Sequence, residues 1–260
     1  MRRPRIVILG AGNVATHIAS ALAGKADIIQ IYNHRLENAQ TLALKVGAKA
    51  VDSLSDIDSD ADLYIISIKD DAIAQLTGRL KNFDKGIWVH TSGSTPSEAL
   101  SGVGEAHGVL YPLQTFSKET EVDMSEVPFF IEASSEEALD LIEDTARLVS
   151  AKIHHADSER RKRLHIAAVF ACNFTNYMWT RADSLLHKDG LDIRVFRSLI
   201  MATIDKAMEI SPEKGQTGPA RRGDKAVMAQ HEAMLGGENA ELYRVLSDSI
   251  FNHYHNNDNT

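Results

Sequence analysis

From Arg5 to about Ala156, short runs rich in Ile and Val alternate with longer stretches whose apolar residues recur every three or four positions. That alternation is the mark of parallel βαβ units. It predicts strands over residues 5–9, 27–32, 48–51, 63–68, 87–90, 108–111 and 129–132. Segments such as Tyr64-Ile65-Ile66-Ser67-Ile68 are almost continuously apolar, as expected when helices cover both faces of a sheet. Beyond about Asp157 the strand period disappears and helices are expected over 159–187, 192–209, 225–235 and 241–253. The pattern therefore predicts an α/β doubly wound, mostly parallel sheet in residues 1–156 and an all-helical domain in residues 157–260, with no Pro/Gly linker between them.

Composition narrows the function classes. The 260 residues carry 28 Lys+Arg against 36 Asp+Glu, a formal charge of −8, which argues against a bulk nucleic-acid binder. The lone Cys172 cannot form an internal disulfide, and no His or carboxylate pair has a third ligand at convincing spacing, so no metal is expected. After the basic start Met1-Arg2-Arg3-Pro4, the apolar run Ile6 to Leu9 is too short for a signal peptide or a membrane span. A cytoplasmic protein with no membrane partner is expected. The polar tail 255–260 is expected to be disordered.

Directly after the first strand comes Gly10-Ala11-Gly12-Asn13-Val14-Ala15, a G-x-G-x-x-A that opens a helix. Gly10 permits the tight turn, Gly12 lets a pyrophosphate approach the backbone, and Ala15 allows close packing of helix on strand. The helix start would turn free N–H groups toward the phosphates. In this context the motif predicts a Rossmann-type dinucleotide site. A site for NAD would place Asp or Glu at the end of the second strand. This one ends in Asn33-His34-Arg35, whose donors suit a 2′-phosphate, so NADP (NADPH) is favoured over NAD. Arg35 also suits a solvated helix start. Strands four and five end in Ile68-Lys69 and Thr91-Ser92, and both ends should border the cofactor, as ligands lie beyond the carboxyl ends of strands. Ser92 and Ser94 could hold substrate or ribose, or Ser94-Thr95-Pro96 could only start a helix.

The stretch Leu164 to Trp179 is apolar nearly all round, which predicts a buried helix. Its polar exceptions Lys162, His165, Asn173 and Asn176 form one stripe at 100° per residue. His165 could give a proton to a carbonyl or imine, with Asn173 and Asn176 holding substrate, or all three could bond neighbouring helices. The run Arg160 to Arg163 reads as a solvated helix start, one member of which could reach a phosphate. The turn-rich loop Thr217 to Asp224 offers Arg221 or Arg222 to an anionic substrate or a second subunit, with Asp224 placed to cap the next helix, while His231 and His107 are further cleft candidates.

Taken together, Gly10 to Ala15, Asn33 to Arg35, His90 to Ser94, Gly108 to Phe116, His165 to Asn173 and Thr217 to Asp224 resemble the superfamily of pyrroline-5-carboxylate reductases and β-hydroxyacid dehydrogenases. The nearest likeness is a branch of Rossmann-like NADP oxidoreductases whose helical C-terminal domain has no assigned function. The resemblance implies a homodimer through the helical domain and a small-molecule substrate, a carbonyl, hydroxy acid or imine, bound between the domains. It also exposes a departure. β-Hydroxyacid dehydrogenases carry a catalytic Lys one turn before an Asn on the crossing helix, and four positions before Asn173 this chain has Val169. That leaves a non-catalytic NADP(H)-binding regulator or scaffold as the alternative to an oxidoreductase.

Overall fold

The five residues of the first strand, Arg5–Leu9 (β1), send Ile6 and Ile8 to one side and Val7 and Leu9 to the other, and all four are fully buried. A strand apolar on both faces must be sandwiched, and the two faces belong to separate clusters. Ile6 and Ile8 pack with Ile65, Val89 and the apolar sides of helices Asn13–Leu22 (α1) and Leu36–Val46 (α2). Val7 and Leu9 pack with Tyr64, Ile66, Trp88 and helix Asp70–Thr77 (α3). In a computed structural model that describes residues 2–80, 83 and 85–255, the remaining strands are Asp27–Tyr32 (β2), Lys49–Val51 (β3), Leu63–Ile66 (β4), Ile87–His90 (β5), Ala106–Pro112 (β6), Phe129–Ala133 (β7) and Ile153–His155 (β8). Beyond His255, the expected disordered tail lies outside the described residues.

The sheet runs β3-β2-β1-β4-β5-β6-β7-β8, parallel throughout except for the antiparallel pair β6–β7. Chain order reverses between β1 and β4, so a crevice opens there beyond the carboxyl ends of the strands. The doubly wound, mostly parallel sheet expected from the apolar runs is what forms. The fourth strand stops at Ile66 instead of residue 68, and the three-residue β8 had no apolar run to announce it. Helix Glu136–Arg147 (α4) follows β7, begun by Ser135, whose hydroxyl accepts from the Ala138 N–H, and ended by Arg147.

The chain divides into two compact units at Cys172/Asn173, sixteen residues beyond the boundary expected at 156. Helix Ser158–Ala168 (α5) belongs to the first unit because Arg161, expected to be solvated, is fully buried in it. Residues Val169–Phe174 then form a π-helical stretch, followed by Thr175–Leu186 (α6). A π turn changes the angular step, so the stripe expected at 100° per residue does not continue from Lys162 and His165 to Asn173 and Asn176. The burial expected for Leu164 to Trp179 is also not found: Ile166 is 57% exposed and Phe170 65%.

The second unit contains Arg197–Ile210 (α7), the single turns Pro212–Gly215 (α8) and Pro219–Arg222 (α9), Lys225–Leu235 (α10) and Gly237–His255 (α11). Among its described residues only Ala220 and Ser247 are buried, whereas large apolar side chains such as Leu199, Met208 and Val245 are open to solvent. Its few elements do not surround their own apolar faces. Among the described residues no helix is long and apolar enough to cross a membrane.

Candidate functional site

A cavity of about 720 Å³ lies in the crevice at the chain-order reversal. Its floor is the turn after β1, where Gly10 holds φ at +124° and a Cβ would lie 2.0 Å from the Ser67 carbonyl oxygen. Only glycine fits there. Helix α1 then starts at Gly12 with no side chain capping its N–H groups and no acidic residue in its first turn. Uncapped donors at the positive end of a helix dipole, opening on a cavity, form an anion site.

The walls come from three strand ends. Gly10, Gly12, Asn13 and Val14 line the cavity beside β1, while Ala15 is fully buried behind it against the sheet. Tyr32, Asn33 and His34 line it beyond β2, with no carboxylate among them. Ile68, Lys69, Asp70 and Thr91 complete it beyond β4 and β5. Arg35 is exposed and outside the lining; its N–H donates to the Asn33 side chain at 3.0 Å and it begins α2. The guanidinium that does line the cavity is that of Arg79. It stands near the Tyr32 hydroxyl, partly opposing the rise in that group's pKa caused by burial. Sequence reasoning missed Arg79 and its neighbours Ala72, Gln75 and Leu76. Part of the signal was present, since 72, 75 and 76 follow the helical spacing that places residues on one face after the fourth strand, whereas Arg79 lies beyond the end of that helix at Thr77.

The loop after β5 is held by buried polar groups. The His90 Nε2–H donates to the Pro96 carbonyl at 3.2 Å, and its Nδ1 accepts from the Ser92 N–H, also at 3.2 Å. Burial brings the His90 pKa down to about 4, so the imidazole is neutral. Ser92 turns its hydroxyl inward, accepting from the N–H groups of Ser94 and Thr95, and so serves the loop's own shape. From the opposite side Arg161 donates to the Ser92 carbonyl at 3.2 Å, to the Thr95 carbonyl at 2.5 Å and to the Glu132 carboxylate. Ser97 and Ser158 donate to the same carboxylate. A buried charge needs such complete pairing. The result is a rigid loop whose Ser94 hydroxyl reaches the cavity-lining Asp70 at 2.5 Å.

Gly93, at the tip of this loop, faces two rings. A Cβ there would come within 2.7 Å of both the His165 ring and the Tyr111 ring. The Tyr111 hydroxyl and His165 Nδ1 are 3.1 Å apart. Tyr111 is buried, which pushes its pKa up to about 12, with Asp70 adding to the rise and Arg161 opposing it. The segment following β6 is pinned to α1: Asn13 donates to the Phe116 carbonyl and His17 to the Ser117 carbonyl, each at 2.9 Å. His107 lies at the other end of β6, opposite Trp88 and far along the strand from the carboxyl edge, so the cleft position considered for it is not found.

The expected Asn173, Asn176, Arg221, Asp224 and His231 all fall in the second unit. Asn173 is exposed there, and Asn176 lines a separate cavity with Trp179, Asp183, Ile193 and Arg197. Arg221 stacks its guanidinium over Tyr254 at 4.4 Å. Asp224 starts α10 without capping it, because its carboxylate pairs with Arg222, and His231 bonds Tyr243 at 2.9 Å.

Two family models match the chain: NADP oxidoreductase coenzyme F420-dependent over residues 5–91, and a domain of unknown function, DUF2520, over residues 127–250. Among solved structures, a candidate NADP oxidoreductase from Bacteroides fragilis is 44% identical, with 96% of this chain and 98% of that one aligned at a TM-score of 0.90. A Thermotoga maritima protein is 23% identical over 94% of this chain and 99% of its own, at 0.74. An imine reductase from Myxococcus stipitatus in complex with NADP+ is 13% identical over 95% and 92%, at 0.67. Those two likenesses are ones of fold. No curated protein matches. At 44% identity over nearly all of both chains, this chain belongs to the family of the Bacteroides fragilis protein, its N-terminal part of the NADP oxidoreductase type and its C-terminal part a DUF2520 domain.

Proposed function

We propose that the protein is an NADP-dependent oxidoreductase that reduces a small carbonyl or imine compound, or runs the reverse oxidation of a hydroxy acid. The observation that carries this reading is the uncapped start of α1 opening on a cavity whose β2 side offers Asn33 and His34 and no carboxylate. When bound, NADPH supplies a hydride to the carbon of a C=O or C=N bond, and a proton must reach the oxygen or nitrogen. Gly10 and Gly12 admit the pyrophosphate, the first N–H groups of α1 bind it, and Asn33, His34 and Arg79 receive the adenosine end with its 2′-phosphate. Thr91 and the rigid loop after it set the reducing end. His165, which touches that loop through Gly93, is the proton donor.

The partner is a second copy of this chain. The open apolar side chains of the second unit support that reading, as does the family resemblance. The reducing, cytoplasmic setting expected from the lone Cys172 is retained as part of the same proposal.

The test is fluorescence titration with NADPH and NADH of the parent protein and of the Arg79→Ala and Arg35→Ala variants. Tight NADPH binding, weak NADH binding and a loss of about tenfold or more in NADPH affinity for Arg79→Ala are expected, with Arg35→Ala the milder change. No binding of either nucleotide would sink the reading. Binding without oxidation of NADPH by any of a panel of keto acids, aldehydes, cyclic imines and coenzyme F420 would turn it into that of an NADP(H)-dependent regulator.

A further inference from the structure

The contact between Tyr111 and His165 has no counterpart in the sequence motifs, which left Tyr111 without a role. It lies at the carboxyl end of β6 and is 8% exposed. Among the described residues its hydroxyl has one hydrogen-bond partner, Nδ1 of His165 at 3.1 Å. A hydroxyl proton turned out of water needs an acceptor, and Nδ1 is the one within reach among the described residues, so this proton points at Nδ1. Burial also keeps the phenol protonated. If Nδ1 accepts, the single proton of neutral imidazole must sit on Nε2.

We propose that Tyr111 is a positioning residue that holds His165 as the Nε2–H tautomer, and that this fixed donor suits a carbonyl oxygen as the group to be reduced. The proposal rests on the oxidoreductase reading above. A carbonyl oxygen is a ready acceptor for Nε2–H. An imine nitrogen is reduced as its protonated form, and a neutral imidazole held by a tyrosine hydroxyl is a poor acid toward it. As hydride reaches the carbonyl carbon, the C=O π pair becomes an alkoxide lone pair. That oxygen takes the Nε2 proton as Nδ1 takes the Tyr111 proton; a solvent water then protonates Nε2, leaving as hydroxide, while Nδ1 gives its proton back to the phenolate, which restores the Nε2–H tautomer. Charge and protons balance with water as the one further reactant.

Gly93 makes the contact possible. Its absent side chain is what lets the two rings meet, since a Cβ would lie 2.7 Å from His165 Nδ1 and 2.7 Å from Tyr111 Cζ. Gly93 has no positive φ, so the demand at this position is steric alone.

The test is ¹⁵N NMR of the imidazole rings in the full-length protein without nucleotide, at a pH where His165 is neutral, with the His165 signals assigned by their loss in His165→Asn. The Nε2–H shift pattern is expected in the parent protein. In Tyr111→Phe a measurable Nδ1–H fraction should appear and the Nδ1 shift should move. Gly93→Ala should produce the same change with the hydroxyl still present, separating loss of the contact from loss of the tyrosine. A predominant Nδ1–H tautomer in the parent, or unchanged ring shifts in Tyr111→Phe, would overturn the proposal.

The second arm follows NADPH oxidation with keto acids, aldehydes and cyclic imines. Carbonyl reduction is expected, with Tyr111→Phe lowering kcat about tenfold or more and changing KM for the carbonyl less than threefold. Reduction confined to imines would overturn the carbonyl assignment. Failure to bind NADPH at all would instead remove the oxidoreductase reading, while the tautomer is still decided by the nucleotide-free spectra.

Discussion

His90 and Arg161 show how much of this site depends on buried polar side chains whose work is to hold the loop backbone in place. His90 is fully buried and its pKa is lowered to about 4. Burial is the main cause, with Arg161 lowering it further while the Pro96 hydrogen bond, Asp70 and Glu132 act the other way. Between about pH 6.5 and 4 the unfolded chain therefore binds a proton that the folded one refuses. Stability is full above that window and falls as the pH drops through it, by about 2 kcal/mol from pH 7.5 to pH 5 on account of this residue. Urea denaturation at the two pH values should show the loss, and His90→Asn, which does not titrate, should have a shallower dependence. Equal slopes for the two proteins would mean that the imidazole is not neutral in the fold.

Helix α5 is docked through one residue of its four-residue basic run. The Arg161 guanidinium joins α5 to the β5 loop through the Ser92 and Thr95 carbonyls, and to β7 through Glu132. Arg161→Met removes one charge of a buried pair and leaves Glu132 with its remaining hydroxyl donors only. A loss of about 3–5 kcal/mol is expected in equilibrium unfolding. Arg161→Lys should recover only part of it, because an ammonium cannot span three acceptors as the planar fork does. Full stability in Arg161→Met would show that the loop is held by His90 and Ser92 alone. Sequence alone does not single out Arg161 among Arg160, Arg161, Lys162 and Arg163, because all four have the same helix-surface chemistry and only packing decides which points inward. Helix α3 is the contrasting case, since the spacing of Ala72, Gln75 and Leu76 along the chain is by itself that of one helix face, whereas Arg79 follows the end of the helix at Thr77 and reaches the cavity from the turn.

The second unit is stable only if something covers its apolar faces. Met208 is 79% exposed and Leu199 63%, and neither level of exposure is sustained across so many large side chains in an isolated soluble helical unit. Sedimentation equilibrium should find a dimer, and Leu199→Glu with Met208→Glu should shift it toward monomer and lower the melting temperature. A monomeric parent protein with an unchanged melting temperature on dilution would remove the homodimer from the proposal. The strands β1, β2 and β5, the glycine turn and the helices around 159–187 and 225–235 were all determined by sequence, because strand alternation, helical period and glycine's φ freedom are local properties that neighbouring residues express by themselves. Tertiary structure alone decided that Arg79 and not Arg35 lines the cavity, that Arg161 is buried, that β7 turns antiparallel, and that Tyr111 meets His165 over Gly93. Each of those depends on segments tens of residues apart arriving at one place, while the break in the polar stripe comes from a π turn at Val169–Phe174 whose changed pitch no period count along the chain could anticipate.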